Sequence, residues 1–224
     1  DFHGAWRASH NVYEMKKGYH HIILNKKQYV TQALETANNF IKSFALLYQL
    51  KLFNKWKDYF PKEGLMLDIG ANIGSHCIQF KLYFPDIEIY AFEPFKENFD
   101  VLIQNTKQYK DIKCFNIGVG SRNSIVHFND GHKNNSGVVQ IVRNSNNPNI
   151  VLSLDDLSIN PVSFIKIDVE GHELSSFEGM KLLLKKDKPL IWLEDNKGIA
   201  VPYLQSLGYK ILEEEKLTND YLMI

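Results

Sequence analysis

The string MLDIGANIG at residues 66–74 gives the strongest indication of the fold. An apolar run leads into Asp68, a turn then carries Gly70 and Gly74, and an amphipathic run follows. This order is typical of a strand, a tight turn and a helix at the carboxyl edge of a parallel sheet, where backbone N–H groups face a ligand. We expect Gly70 to permit the tight turn and Gly74 to let the backbone approach the ligand closely. The string predicts a ligand-binding turn in a Rossmann-like sheet.

The acidic residues at the strand ends indicate which ligand the turn binds. Asn72 stands where the G-x-G-x-x-G pattern of nicotinamide and flavin enzymes has its second glycine. The Asp68 carboxylate would repel a pyrophosphate but attract ammonium or sulfonium charge, and S-adenosylmethionine (SAM) carries both charges and no phosphate. Glu93, in IYAFEP at 89–94, ends the next predicted strand and is suited to accept the ribose hydroxyl hydrogens of an adenosine. Together the two carboxylates predict a SAM site.

Short apolar runs alternate with amphipathic ones along the rest of the chain. The predicted strands are 65–69, 87–92, 112–117, 164–169 and 189–193, and the predicted helices are 75–84, 96–108 and 174–185. Strands alternating with helices predict an α/β fold with a mostly parallel seven-stranded sheet and helices on both faces. An antiparallel last strand is expected from the pair 209–214 and 221–224.

Two segments depart from this alternation. Residues 124–128 and 138–142 have the pattern of an inserted β-hairpin, and a polar loop is expected at 143–149. Residues 1–60 are predicted to be an N-terminal extension with an amphipathic helix over 31–50, ahead of the domain at 61–224.

Composition restricts the partners and the location. Lys plus Arg equals Asp plus Glu at 26 each, and this zero net charge disfavours a nucleic-acid substrate. No apolar run is long enough to span a membrane. Cys77 and Cys114 lie in segments with a buried pattern, which favours reduced thiols and a cytoplasmic location. The chain starts at Asp1 without a secretory signal, which indicates a domain of a longer chain or a processed product.

The motifs together resemble those of the FkbM-type methyltransferases. The resemblance spans about residues 61–224, and its motifs are DIGANIG (68–74), FEP (92–94), CFNIGVG (114–120), FIKIDVEGHE (164–173) and NDYL (219–222). It implies the class I methyltransferase fold, SAM as donor, and O-methylation of sugars or glycoconjugates. It also implies that the cofactor is lined by Asp68, Gly70, Ala71, Asn72, Gly74 and Glu93, with Asn116, Ile117 and Gly118 bordering the adenine.

The fourth strand carries the candidate chemistry. Alternation in FIKIDVEGHE points Lys166 and Asp168 to the same side, and a buried lysine needs a carboxylate partner such as Asp168, Asp68 or Glu194. This lysine forms either a structural ion pair or a contact to substrate or cofactor.

Methyl transfer to a hydroxyl depends on alignment and on removal of the hydroxyl proton. Asp168 and His172 are the candidate bases, with a purely positioning role as the alternative, and Glu170 is expected to bind acceptor hydroxyls. Glu194 and Asn219 are further candidates for the acceptor site, although Asn219 also suits a simple turn.

Three alternatives stay open. The carboxylates and imidazole near this edge could hold Mg²⁺ or Mn²⁺ to acidify the acceptor, the ligands being Asp168, Glu170, His172, Glu194 and Asp195. The chain could instead be a non-catalytic SAM-binding module of a larger glycan-modifying protein. It could also be an N-methyltransferase, but DVEG stands where such enzymes carry an Asn/Asp-Pro-Pro-Tyr-like motif. The interpretation that explains most motifs is a SAM-dependent O-methyltransferase acting on a carbohydrate or similar small acceptor.

Overall fold

The structure of the chain is a computed structural model that describes residues 19–24, 27–32, 51–128, 141–142 and 148–224, with side chains over 51–126 and 148–224. Its residues divide into two compact units, Asp1–Phe60 and Pro61–Ile224. In the described part of the chain, no helix combines the length and the apolarity that crossing a bilayer requires.

The first unit contains a two-stranded antiparallel hairpin, β1 (Tyr19–Leu24) and β2 (Lys27–Gln32). Residues 51–56 are helical. The prediction of a helix over 31–50 was wrong at its start, because residues 31 and 32 belong to β2 and pair with β1. The remainder of that predicted helix, 33–50, lies outside the described residues.

The second unit is built on a seven-stranded sheet with the order β12-β13-β11-β10-β3-β4-β5. Five adjacent strands, from β11 to β5, run parallel, and β13 pairs antiparallel with both β11 and β12. The prediction of a mostly parallel sheet with an antiparallel last strand is confirmed. The strands are β3 (Glu63–Ile69), β4 (Asp86–Phe92), β5 (Ile112–Phe115), β10 (Val162–Ile167), β11 (Leu190–Glu194), β12 (Ile211–Glu215) and β13 (Asp220–Met223).

Helices pack on both faces of this sheet. The helices of the unit are α1 (Ser75–Tyr83), α2 (Lys96–Thr106), α3 (Glu173–Glu178), α4 (Lys181–Asp187) and α5 (Ala200–Ser206). On one face, side chains of β3, β10 and β11 form an apolar core with Phe177 of α3, Leu184 of α4 and Leu204 of α5. On the other face, Phe80 of α1 packs against Phe164 of β10 with 5.0 Å between ring centroids. Burial of these large side chains stabilises the layers.

The sheet face that packs against α1 changes in polarity along the strands. Register places Phe164 beside Met66 and Leu190, and two residues further along, Lys166 beside Asp68 and Trp192. The face therefore changes from apolar to charged towards the carboxyl ends of the strands, which is the edge where ligands bind in open α/β sheets.

The insertion is a small sheet rather than a simple hairpin. Its strands are β6 (Gly118–Val119), β7 (Ser124–Phe128), β8 (Ile141–Val142) and β9 (Pro148–Leu152), in the order β6-β9-β7-β8. The β7–β8 pair matches the predicted hairpin in type, with His127 opposite Val142. The predicted loop at 143–149 was wrong at its end, since residues 148 and 149 belong to β9 and pair with β7. Residues 143–147 lie outside the described residues.

The single helix predicted over 174–185 is two helices. The break falls at Gly179, where an added Cβ would lie 1.9 Å from the backbone oxygen of Gly120. Because the chain at Gly120 passes so close, position 179 requires a residue without a side chain, and the helix is interrupted at this position. Helix α5 was not predicted.

Candidate functional site

The turn after β3 is held against the end of β4 by backbone hydrogen bonds. The N–H groups of Gly70 and Ala71 both donate to the Phe92 carbonyl at 3.0 Å. Gly70 has φ of +81°, and a Cβ there would lie 1.9 Å from the carbonyl oxygen of Asp168. Glycine is therefore required at this position by conformation and by space, as expected for a tight turn.

Gly74 has a packing role that was not predicted. A Cβ at Gly74 would lie 2.7 Å from Leu102 Cδ1 and 3.1 Å from Thr106 Cγ2, both in α2. Its φ of +86° also favours glycine. A small residue is needed here because α2 packs against the start of α1; the expected approach to a ligand stays a prediction.

Asp68 lies fully buried at the bottom of the turn. The Cys77 thiol donates to Asp68 Oδ2 at 3.0 Å, while Oδ1 has no hydrogen-bond partner among the described residues. Burial raises the pKa of Asp68, and the Lys166 ammonium opposes the rise. A buried carboxylate oxygen without a donor is costly, so this position suits a ligand that brings a donor or a positive charge.

Glu93 follows β4 directly and is hydrogen-bonded to the turn after β3. Its two oxygens accept 2.8 Å hydrogen bonds from the backbone N–H groups of Asn72 and Phe95. Burial raises the pKa of Glu93 to about 7, although these two hydrogen bonds oppose the rise. The carboxylate is thus fixed at the strand end, where each oxygen keeps a lone pair for a further donor. Asn72 itself adopts a left-handed φ of +50°.

The segment after β5 braces Glu93. The Asn116 side-chain amide donates to the carbonyls of Glu93 and Pro94, at 2.9 and 3.0 Å. Ile117 is half-buried against the apolar core, and Gly118 begins β6, where a Cβ would lie 3.2 Å from Val151. Strand β5 ends at Phe115, so Asn116 and Ile117, which were predicted to belong to the third strand, follow its end.

Lys166 of β10 lies between Asp68 of β3 and Trp192 of β11, in the charged part of the sheet face that packs against α1. Its ammonium nitrogen lies 3.4 Å from Asp168 Oδ2, and its side chain is only 4% exposed. Burial alone lowers the pKa of Lys166, but the carboxylates of Asp168, Asp68 and Glu194 outweigh that effect and raise it. The lysine therefore remains charged and serves as the counter-ion of the surrounding carboxylates. The predicted pairing with Asp168 is confirmed.

The loop after β10 presents Asp168 and Glu170. The Asp168 N–H donates to the Ile69 carbonyl at 3.0 Å, which fixes the residue beside the turn of β3. Glu170 has φ of +51°, a left-handed conformation that a glutamate adopts only under constraint. Desolvation, followed by the Asp168 charge, raises the pKa of Glu170 to about 7. Strain and perturbed titration are both typical of functional loops.

His172 follows in the same loop, just before α3. Burial, followed by the positive charge of Lys197, lowers the pKa of His172. The imidazole is therefore neutral at pH 7 and able to accept a proton. Lys197 Nζ donates to the Gly171 carbonyl at 2.7 Å, and Glu173 Oε1 accepts from the Gly171 N–H at 2.8 Å. Glu173 is the first residue of α3.

Glu194 ends β11 and lies opposite Asp220 of β13. The Asn196 amide donates to Glu194 Oε1 at 2.6 Å. Burial, followed by the Asp168 charge, raises the pKa of Glu194 to about 7. Asn219, the other acceptor-site candidate, closes the β12–β13 turn with φ of +53°, and its amide donates to Asn196 Oδ1 at 3.0 Å. The structure thus gives Asn219 the turn role that its sequence also suited.

Asp195, a candidate ligand in the metal alternative, is a helix cap. Its Oδ2 accepts from the backbone N–H groups of Ala200 and Val201, at 3.0 and 2.9 Å, and Oδ1 accepts from Ile199 at 3.2 Å. These bonds satisfy donors at the start of α5. Among the described residues, no group of three or more His, Cys, Asp or Glu side chains is placed to hold a metal ion.

Sequence reasoning missed two aromatic neighbours of Lys166. Trp192, its register partner on β11, donates from Nε1 to Asp220 Oδ1 at 2.7 Å. His76 of α1 packs edge-on against the Trp192 ring, with centroids 5.3 Å apart. Burial and then Lys166 lower the pKa of His76 well below its usual value. The sequence did contain an indication for Trp192. Its two-residue spacing from Glu194 places both side chains on the sheet face that carries Lys166.

The sequence of this chain is similar to those of known methyltransferases. The model of the FkbM methyltransferase domain matches residues 68–211. The hexuronic acid methyltransferase AglP of Haloferax volcanii is 24% identical over 164 residues, which cover 71% of this chain and 65% of that protein. The chain therefore spans less than two thirds of that relative.

Solved structures share the fold. The FkbM methyltransferase of Methylobacillus flagellatus superposes with a TM-score of 0.55 at 20% identity, covering 73% of this chain and 43% of that one. A putative methyltransferase of Streptococcus mutans, solved in complex with SAH, gives 0.50 at 9% identity and covers 78% and 94% of the two chains. Since the family model spans the glycine turn, the Glu93 segment and the loop after β10, the chain belongs to the FkbM methyltransferase domain family.

Proposed function

We propose that this chain transfers a methyl group from SAM to a hydroxyl of a sugar or glycan. One observation carries the proposal: Asp68 and Glu93, two buried carboxylates at the glycine turn, adjoin a second set of carboxylates at the ends of β10 and β11. The first set suits a cationic nucleoside and the second an acceptor with hydroxyl groups. The edge thus offers a donor side and an acceptor side next to each other.

The donor side fits SAM by its chemistry. Oδ1 of Asp68, which has no hydrogen-bond partner among the described residues, calls for a donor or a cation, and Glu93 keeps lone pairs for ribose hydroxyls. The cofactor supplies a methyl group on a positively charged sulfur when it is bound. We assign its binding to Asp68, Gly70, Ala71, Asn72 and Glu93, with Asn116 acting through its bonds to the Glu93 segment. Gly74 admits α2 at this turn, and its expected approach to the cofactor stays a prediction.

The acceptor side provides a proton acceptor next to fixed charges. Attack by an acceptor oxygen requires that its proton leave during or after the new bond forms. Asp168 and His172 are the two candidates: Lys166 orients Asp168, and a lowered pKa keeps His172 neutral. Glu170 and Glu194 accept hydrogen bonds from neighbouring hydroxyls of the acceptor. The name of the Haloferax relative supports a sugar-derived acceptor class.

Calorimetry and a transfer assay test this function in two stages. SAM and SAH should bind at one site per chain, and Glu93→Ala should abolish that binding. Radiolabelled SAM should then label members of a glycan and glycoside panel. Asp168→Asn and His172→Ala should each lower turnover at least tenfold more than they lower SAH affinity, and the residue whose loss removes the acidic limb of the pH profile is the base.

Several outcomes would contradict the proposal. A chain that binds neither SAM nor SAH has no donor site, and a chain that binds them but labels no acceptor is a binding module. Near-normal turnover in both variants would contradict the assignment of Asp168 or His172 as the base and leave alignment as the source of the rate. Glu63→Gln is the control variant, because Glu63 is exposed at the first position of β3, at the opposite edge of the sheet.

A further inference from the structure

The acceptor side is lined with carboxylates that act on one another. Asp168 follows β10, Glu170 lies two residues further on, and Glu194 ends the neighbouring β11. After desolvation, the Asp168 charge is the next largest influence on the pKa of both glutamates, and it raises both. Ile167 of β10 pairs with Leu193 of β11, so Asp168 and Glu194 are the next residues of two neighbouring strands, and a further negative charge brought to this edge would be repelled.

The two lysines that act on these residues already have partners. Lys166 is buried, and its ammonium group faces Asp168 at 3.4 Å. Lys197 donates to the Gly171 carbonyl at 2.7 Å. His172 is neutral at pH 7 because burial and Lys197 lower its pKa. A bound anion would need a charged donor, since a buried carboxylate or phosphate is stable only when it is paired.

Two buried carboxylate oxygens near this edge have no hydrogen-bond partner in the described part of the chain. Asp220 lies beside Glu194 in the sheet and is 2% exposed. Its Oδ1 accepts from Trp192, whereas Oδ2 is buried with no hydrogen-bond partner in the described part of the chain. Glu173 Oε2, at the start of α3, is in the same condition. These two carboxylate oxygens are acceptors and match a ligand that donates hydrogen bonds, and the Thr218 hydroxyl is the nearby protein group that also acts on the Asp220 carboxylate.

From these charges we infer that the acceptor bears no negative charge next to its reacting hydroxyl: it is a neutral or amino sugar, not a uronic acid or a sugar phosphate. The inference rests on the proposed function, because it concerns the acceptor of that reaction. Neutral hydroxyls and ammonium groups donate to Asp168, Glu170 and Glu194, whereas above pH 7, where both glutamates are mostly ionised, a uronate would meet three carboxylates. The acceptor would then differ in charge from the one in the name of the Haloferax relative.

Binding to the SAH-loaded protein tests the inference without requiring turnover. The probes are methyl glycosides of gluco, galacto and manno configuration, each as the neutral sugar, the 2-amino sugar and the uronate, titrated by NMR at pH 7.5. We expect the neutral or amino form of at least one configuration to bind tenfold or more tightly than its uronate. A uronate that binds as tightly as its neutral partner, or a failure of every probe to bind, overturns the inference.

Charge removal identifies the cause of the preference. In the Glu170→Gln/Glu194→Gln double variant, the ratio between neutral and uronate affinities should fall at least fivefold, while Glu63→Gln should leave it unchanged. An unchanged ratio in the double variant would mean that shape rather than charge excludes the uronate, and the inference would fail. The proposed function fails independently, since loss of SAM binding or of methyl transfer is measured in a separate assay.

Discussion

The backbone N–H of Asn72 donates a 2.8 Å hydrogen bond to Glu93 Oε2, and this bond joins the turn after β3 to the residue after β4. A second backbone donor, Phe95, holds the other oxygen. The same carboxylate that we assign to the cofactor therefore also fixes the shape of the turn. Its removal affects binding and stability together, and its ionisation should be visible in both.

Ionisation of Glu93 should destabilise the ligand-free protein. Its pKa is 4.5 in an unfolded chain and about 7 in the fold, so the folded state binds the proton more tightly. Stability contributed by this group is present below pH 4.5 and is lost as the pH rises to 7. The loss amounts to roughly 3 kcal/mol at most.

Glu93→Gln removes that titration, because glutamine resembles the protonated acid. Compared with the parent protein, the variant should gain in melting temperature as the pH rises from 5 to 8. Thermal melts of both proteins across this range provide the measurement. A constant difference between the two melting temperatures would show that Glu93 does not titrate in this window.

Lys166→Met should be strongly destabilising. The substitution leaves Asp168, Asp68 and Glu194 without their shared cation, and removing one partner of a buried ion pair costs about 3–5 kcal/mol. The double variant Lys166→Met/Asp168→Asn should recover part of that loss. Denaturant unfolding measures both effects. Lys113→Met is the control, because the pair between Lys113 and Glu88 is exposed and its loss should matter little. Equal losses in Lys166→Met and the control would contradict the assignment.

Gly70→Ala and Gly198→Ala separate steric clash from backbone strain. Both glycines have a positive φ, +81° and +65°, but only Gly70 would place a Cβ against backbone, 1.9 Å from the Asp168 oxygen. In the part of the chain that the structure describes, no atom lies within 4 Å of a Cβ added at Gly198. Gly198→Ala should cost about 1–2 kcal/mol of unfolding free energy, the usual penalty of the left-handed conformation. Gly70→Ala should cost more and also weaken SAH binding. Similar losses in the two variants would exclude the clash.

Asp195→Ala should lower stability by about 1–2 kcal/mol without changing SAH affinity, since Asp195 caps α5. Urea unfolding and calorimetry give the two quantities. Removing the exposed carboxylate of Asp86 by Asp86→Ala provides the comparison. If Asp195 instead held a metal needed for activity, chelator treatment would inactivate the parent protein, and added Mg²⁺ or Mn²⁺ would restore it.

The order of strands and helices could be predicted because each element has its own local period. Lys166 and Asp168 were paired correctly, since alternation along one strand fixes their common side. The role of Gly74 could not be predicted, because the atoms that exclude a Cβ belong to Leu102 and Thr106, about thirty residues away. The break at Gly179 has the same origin in Gly120.

At the site, residue types were visible but their partners were not. Asp195 resembled a metal ligand in sequence, yet the donors that it satisfies are backbone N–H groups four to six residues later, which no side-chain pattern reveals. His76 and Trp192 are more than a hundred residues apart in the chain, and their contact arises only in the folded structure. Strand β9 lies in a segment rich in asparagine, and its strand conformation depends on pairing with β6 and β7 rather than on propensity.

The graded face of the sheet restricts how this protein can diversify. A shift of β10 by one residue would exchange Lys166 with Ile165 or Ile167, placing an ammonium group in the hydrocarbon core and isoleucine among the carboxylates. The strand sequence that presents the reactive edge is therefore the same sequence that fixes strand alignment. New acceptor preferences would have to arise in the loops beyond Ile167 and Glu194, where a substitution changes recognition without misaligning the sheet.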